Sequence, residues 1–284
     1  MTLTVSLIIA TRDRADSLRA CLASIAQLDP GDWELIVVDD GSTDSTRQVM
    51  EAFGRDAPIP FQMIHKSGPG LSEARNRGAA VARGELLAFT DDDCYPAPDF
   101  IEALRHAFED PRLGFVGGRV LLHDPEDLPI TIQASNQPVR FPPVSFLLPG
   151  RIHGANMAVR RAGFDQVGGF GTWIGPGTKM ASGEDVELLA RISAAGWEGA
   201  YDPRPVVYHH HRRRGREALK SLLDVYAVGR GAYYATLLTN PKLRWITLKT
   251  WWRNTNLKRH RRRSALELKG AWYALPHILR RRPR

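Results

Sequence analysis

Cysteine occurs only twice in 284 residues, at Cys21 and Cys94, too few for a disulfide framework or a thiolate metal site. A reducing compartment suits that scarcity. Long apolar runs are also missing, because Arg, Lys, Gly or Pro interrupts each one before the roughly 18 residues that a bilayer-crossing helix needs. The chain is therefore not expected to span a membrane. Its opening runs directly into Val5-Ser6-Leu7-Ile8-Ile9-Ala10, too short and too poor in Lys and Arg for a secretory signal, so the active site is expected in the cytoplasm. No G-x-G-x-x-G follows the first apolar run and no G-x-x-x-x-G-K-[ST] occurs anywhere, which removes the main signatures of dinucleotide and P-loop binding.

Acids are scarce in one region only. From Arg212 onward, 20 Lys or Arg face three acids (Glu217, Asp224, Glu267), a net of +17; residues 1–211 hold 19 against 28, a net of −9, and the two give the formal +8. An acidic body with a basic tail suggests attachment to an anionic surface, either membrane or nucleic acid. The segment Arg244-Trp245-Ile246-Thr247-Leu248-Lys249-Thr250-Trp251-Trp252-Arg253 mixes aromatics with cations as membrane-surface helices do. The alternative is a basic helix that packs its Trp residues on the catalytic body. We put the membrane ahead of packing; separately, no base-reading or phosphate-cradling motif supports a nucleic-acid partner.

What is present is a 43% hydrophobic chain, enough for a large core. Apolar, β-branched runs at 5–10, 33–39, 61–65, 86–90 and 114–122 alternate with helix-period segments at 17–27, 43–53, 71–82 and 98–108. Continuous rather than alternating apolar strands predict a mostly parallel central sheet with helices on both faces, an α/β architecture. A Pro-rich stretch at 124–150 reads as a loop. A Gly-rich segment leads into a helix at 184–195, 199–202 and 206–208 read as short strands, and two or three basic helices close the chain. Residues 1–211 are thus expected to form the catalytic domain and 212–284 a basic, aromatic-containing helical region.

Ligands of such sheets bind beyond the C-terminal strand edges, so the polar strand ends carry the chemistry. The fourth strand ends Thr90-Asp91-Asp92-Asp93-Cys94. Adjacent acids repel unless a cation or hydrogen bonds compensate, and hard oxygen ligands suit Mg²⁺ or Mn²⁺. A solvated turn capping the next helix is the alternative. The second strand ends Val38-Asp39-Asp40-Gly41-Ser42-Thr43-Asp44 and the first ends Ala10-Thr11-Arg12-Asp13-Arg14, so three polar ends meet at one edge. Arg75 and Arg77 could hold phosphates, although either alone reads as a charged helix face. Gly183-Glu184-Asp185 starts a helix with acids that also stabilise its dipole. His209, His210 and His211 end a strand, where imidazoles either meet solvent or complete a metal shell.

The ordered set Ser6–Thr11, Val37-Val38-Asp39-Asp40-Gly41-Ser42, Ala74-Arg75-Asn76-Arg77-Gly78, Thr90-Asp91-Asp92-Asp93, Gly154-Ala155-Asn156-Met157-Ala158, Gly168-Gly169-Phe170 and Gly183-Glu184-Asp185 resembles glycosyltransferase family 2 and its GT-A fold. The resemblance covers residues 3–211. It implies an inverting enzyme that transfers a sugar from a nucleotide diphosphate donor to a glycan or lipid-linked acceptor, in polysaccharide, cell-envelope or glycolipid synthesis. By it, Thr11, Asp13 and Asp40 would hold the nucleoside and Arg75 would lie near the diphosphate, with Ala10, Asp92 and Asn156 also counted to the donor site. Asp91 and Asp93 would form the D-x-D metal pair, His209 or His211 would add a metal or diphosphate contact, and Asp185 of the Glu184-Asp185 pair would be the general base. Arg12-Asp13 stands where such enzymes often have an aromatic and Asn, and the third Asp also departs from the pattern. The enzymatic alternative is a nucleotidyltransferase of similar sheet architecture; the non-enzymatic one is a nucleic-acid-binding module.

Overall fold

The computed structural model describes residues 4–254 and 261–280. Strands β1 (Val5–Thr11), β2 (Trp33–Asp39), β3 (Phe61–His65) and β4 (Leu86–Asp91) pair in parallel in the order β3-β2-β1-β4, with the partly exposed β3 at the edge. Every residue of β1 and β2 is buried. Side-chain alternation divides them between two cores: Leu7 and Ile9 join α1 (Ala15–Ile25) and α4 (Phe100–Ala107) on one face. Ile8, Ile36 and Val38 meet α3 (Leu71–Val81) and α6 (Glu184–Ala194) on the other.

Beyond β4 the sheet becomes mixed. Strand β8 (Asn156–Arg160) enters antiparallel between β4 and β6 (Leu113–Leu122), and β6 pairs in parallel with β9 (Glu198–His209). The short β5 (Cys94–Pro96) and β7 (Val139–Phe141) both pair antiparallel with β9. The two strands expected at 199–202 and 206–208 are one, interrupted by a register shift where Gly117 pairs Tyr201 but Arg119 pairs Val206. Pro203 and Pro205 lie in that shift, where a bulge spares them the ladder bonds they cannot donate. The stretch expected as a loop at 124–150 contains β7 and a bridge from Gln133 to Val120.

Helix α2 (Thr46–Arg55) starts three residues later than expected because side chains take over the preceding amides. Asp39 accepts from the Ser42 amide, Asp13 from that of Thr43, and Asp44 from those of Thr46 and Ala15. Helix α5 (Arg161–Val167) follows β8 directly.

The basic region packs into the body. In α7 (Arg216–Leu238), Tyr233 and Tyr234 are buried in the same core as Ile8 and Phe89, and the Tyr233 hydroxyl donates to the Leu147 carbonyl. Helices α8 (Arg244–Asn254) and α9 (Arg261–Arg280) are tied to α7 by buried Glu267, which accepts from Arg230, Arg263 and the Trp251 indole. No helix among the described residues is long and apolar enough to cross a membrane.

Candidate active site

The C-terminal ends of β1, β2 and β4 open onto one cavity of about 670 Å³. Of the three acids after Thr90, Asp92 and Asp93 are buried. The Thr11 hydroxyl donates to Asp92 at 2.6 Å, and the Arg14 guanidinium lies 3.0 Å from Asp92 and also pairs with Asp93. His209, at the end of β9, places Nε2 3.3 Å from Asp93 Oδ1. The repulsion expected among adjacent acids is thus relieved at Asp92 and Asp93 by one guanidinium and one imidazole, and at Asp91 by a second guanidinium, Arg75.

These contacts separate the acids electrostatically. Burial pushes the Asp92 carboxyl up to about 7 despite Arg14 and Thr11. Burial also opposes ionisation of Asp93, but the His209 hydrogen bond and the Arg14 charge outweigh it and hold Asp93 well below the usual carboxylate range. Burial disfavours the His209 cation as well, yet its bond to Asp93 raises the imidazole above its ordinary value.

Arg75 is 1% exposed and forms part of the cavity wall. Its Nη2 contacts Asp91 Oδ1 at 2.8 Å and its Nη1 reaches Glu184 Oε1 at 3.3 Å, while the guanidinium lies 5.5 Å from the Phe170 ring centroid. Gly78, one turn further along α3, permits this depth, since a Cβ there would sit 2.6 Å from the Ile8 side chain. Arg75 therefore positions Asp91 and Glu184.

Helix α6 directs its two leading acids differently. Glu184 turns inward to Arg75; burial first, then the Asp185 charge, pushes it up to about 7, with Arg75 opposing. Asp185 is half-buried in the cavity wall, held by the Gly154 amide at 3.0 Å and the Val186 amide at 2.7 Å.

On the opposite side, Asp40 accepts from the Lys66 ammonium at 2.6 Å and from the Gly70 amide at 2.7 Å. This fixes the loop joining β3 to α3 against the end of β2.

Ala10, Thr11, Asp40, Arg75, Asp91, Asp92, Asp93, Glu184, Asp185 and His209 all line the cavity. Asp13, Asn156 and His211 do not. Asp13 stands in a left-handed conformation (φ 51°) and accepts from the Thr43 amide and hydroxyl. Asn156 is buried and donates to the carbonyls of Arg119 and Pro205, locking β8 to its neighbours. Both ring nitrogens of His211 are engaged, one with the Leu128 carbonyl and the other accepting from the Arg213 amide.

Sequence reasoning assigned no role to Lys66, Arg14, His153, Arg213 or Tyr226. Lys66 directly follows β3 and obeys the strand-end rule already applied to β1, β2 and β4, so it was legible. His153, Arg213 and Tyr226 reach the cavity from a loop, the segment after β9, and α7, elements that no strand-end rule connects. Burial holds the His153 ring below its ordinary value and pushes the Tyr226 phenol up to about 12.

Asp93, Cys94 and His209 bring candidate ligand atoms within 4.8 Å of one another. The Cys94 thiol is fully buried in the core, and burial raises it well above its usual range. The carboxylate of Asp93 and imidazole of His209, with Asp91 in the same wall, fit a hard-to-borderline divalent ion.

The family described as Glycosyl transferase family 2 matches residues 6–168. Pre-mycofactocin glycosyltransferase of Mycobacterium tuberculosis is 29% identical over 219 residues, covering 75% of this chain and 44% of that one. Validoxylamine A glucosyltransferase of Streptomyces hygroscopicus is 33% identical over 109 residues, covering 38% and 26% respectively. The matches thus span less than half the length of these relatives. Among solved structures, the mannosyltransferase PcManGT of Pyrobaculum calidifontis, in complex with GDP-Man and Mn²⁺, superposes with a TM-score of 0.68 at 21% identity, over 99% of this chain and 76% of that one. S. aureus TarS 1-349, in complex with UDP-GlcNAc, gives a TM-score of 0.68 at 17% identity, over 97% and 83%.

Proposed function

The chain belongs to glycosyltransferase family 2, and from that premise we propose that it transfers a sugar from a nucleotide diphosphate donor to an acceptor hydroxyl with inversion at the anomeric carbon. The observation that carries this reading is the division of labour at the start of α6: Glu184 is turned into the wall against Arg75, while Asp185 meets the cavity with its carboxylate oriented by two amides. Residues 1–211 form the catalytic domain in this reading and 212–284 its basic extension, with α7 also walling the cavity.

Asp40, fixed by Lys66 and Gly70, offers a carboxylate edge to the nucleoside, with Ala10 and Thr11 beside it. Arg213, which also lines the cavity, supplies positive charge for the diphosphate. A divalent cation, Mg²⁺ or Mn²⁺, held by Asp93 and His209 with Asp91 adjacent, would neutralise charge on the departing diphosphate. Asp185 accepts the acceptor hydroxyl's proton as the new bond forms, and its amide contacts hold the carboxylate in place for that transfer. Arg75 keeps Asp91 and Glu184 apart and oriented. The segment before α6, with Gly177 and Gly183 at the cavity wall, can close over the donor and exclude water.

The acceptor in this reading is a glycan or a lipid-linked chain of polysaccharide or cell-envelope synthesis, and the enzyme works in the cytoplasm, peripheral to the membrane's inner face. A panel of nucleotide sugars, scored by thermal stabilisation with Mn²⁺ and then by release of nucleoside diphosphate on adding acceptor, tests the transfer. Release of pyrophosphate instead would indicate nucleotidyl transfer and refute it.

A further inference from the structure

Trp245, Leu248 and Trp252 recur at i, i+3 and i+7 on α8 and are all exposed, the two indoles to 69% and 79%. On α9, Leu268, Trp272, Leu275 and Leu279 form a second exposed stripe at spacings of four, three and four, with Trp272 at 70%. The inward faces explain why these stripes point outward. In α9, Ser264, Glu267, Gly270, Ala274 and Ile278 are buried. Gly270 presses against α7 so closely that a Cβ would fall 1.8 Å from the Val228 carbonyl oxygen, and Gly231 of α7 meets Glu267 equally closely. On α8, Trp251 rather than its neighbours turns inward, donating its indole N–H to Glu267. Trp251 and Ile278 turn inward with the small and polar residues, while Trp245, Leu248 and Trp252 of α8 and Leu268, Trp272, Leu275 and Leu279 of α9 stay outside, which is unfavourable in water.

Cations accompany both stripes. Lys242, Arg244, Lys249 and Arg253 are exposed on or next to α8; Arg261, Arg262, Arg263, Lys269 and Arg280 are exposed on α9. Lys258, Arg259, Arg281, Arg282 and Arg284 lie outside the described residues. We propose that α8 and α9 lay these stripes into the surface of an anionic lipid bilayer. This deepens the peripheral-membrane part of the preceding reading by naming the surface and the lipid charge, and it does not depend on sugar transfer.

Each feature selects this occupant over its rivals. A second copy would bring another +17 region against the first, and like charges repel. Anionic headgroups attract the same cations. A nucleic acid would satisfy the charges but leave the Leu stripe of α9 without apolar contact. Helices too polar to cross a bilayer, with Trp and Leu on one side and Arg and Lys around it, lie in the interface. Helix α7 packs against α9 and, through Leu222, Val225 and Tyr226, also lines the cavity, so docking would fix the cavity relative to the bilayer.

The test is flotation of the full chain with phosphatidylcholine vesicles and with vesicles also containing phosphatidylglycerol. The protein should float only with the anionic vesicles and release as salt rises above about 0.1 M. Two variants, Trp245→Ser/Trp252→Ser and Leu268→Ser/Trp272→Ser/Leu275→Ser, change exposed positions only and should each lose at least about tenfold in partitioning. Thermal stabilisation by nucleotide sugar, measured alongside, should be unchanged; its absence in every protein would refute the transfer reading and leave the vesicle result standing. Equal flotation with neutral vesicles, or unaltered flotation of both variants, would overturn the proposal. So would a dimer that the stripe variants dissociate, or retention on a single-stranded oligonucleotide in place of vesicles.

Discussion

Arg75 and Asp91 are joined by a 2.8 Å contact between a guanidinium that is 1% exposed and a carboxylate at the cavity surface. Removing one member of a fully buried pair typically costs about 3–5 kcal/mol, but Asp91 is 35% exposed and water compensates part of its charge, so the cost here should be about 1–3 kcal/mol. Arg75→Met should approach that loss in urea unfolding and release Glu184 as well. Arg75→Lys keeps the charge but cannot bridge both acids with a planar fork, so it should recover only part of the stability. Equal stability of Arg75→Met and the parent chain would show that Arg75 is not the anchor of this wall.

Glu184 ties stability to pH. Its carboxyl stands at about 7 in the folded chain against 4.5 when unperturbed. Across that window the folded state keeps a proton that the unfolded state has lost, so its contribution to stability falls as pH rises. Asp92, raised from 3.8 to about 7, acts in the same direction. Asp93 acts oppositely at the acid end: its lowered value stabilises above the usual carboxylate range and is lost only as pH falls. His209 stabilises fully below 6.5, and that is lost as pH rises through its raised value. In metal-free buffer, unfolding free energy should decline between about pH 5 and 7.5, less steeply for Glu184→Gln. An unchanged slope in that variant would contradict the burial of an ionisable Glu184.

Asp93 and His209 should both be needed for metal-dependent donor binding. Asp93→Ala is expected to abolish the Mn²⁺ dependence of nucleoside diphosphate affinity in calorimetry, and His209→Ala to weaken it by at least the roughly 10–100-fold that loss of an outer-shell partner alone costs. Because Asp93 also compensates Arg14 and His209, the same variant should lose stability in the absence of metal. Unchanged metal-dependent affinity in Asp93→Ala would move the ion elsewhere.

Much of this arrangement was legible in the sequence because parallel, doubly covered strands announce themselves as nearly unbroken apolar runs: those at 5–10 and 86–90 fall within the buried β1 and β4. The run at 61–65 coincides with β3, although that edge strand carries Gln62 and His65 and is only partly buried. Strand β8 was not legible, since Asn156-Met157-Ala158-Val159-Arg160 is short, closes on Arg and passes straight into α5. The histidine run shows a finer limit. Strand periodicity would put His209 and His211 on one face, but β9 ends at His209, and the chain then turns His211 to the Leu128 carbonyl. Periodicity also gives Arg75 as a charged face of α3; its burial depends on Gly78 meeting Ile8, a contact made by the fold. The strand-end rule found Asp40 and the acids after Thr90, because that rule follows directly from sheet topology.

The most direct test of the proposed reaction is single-turnover sugar transfer by Asp185→Asn. The amide keeps the size and shape of the carboxylate but cannot take the hydroxyl proton. Transfer should therefore fall by about 10²–10⁴, the usual contribution of a general base, while donor affinity in the presence of Mn²⁺ persists. Glu184→Gln should affect stability and donor binding more than the chemical step. Near-normal transfer by Asp185→Asn would contradict the account, and a larger chemical defect in Glu184→Gln would place the base on the neighbouring residue.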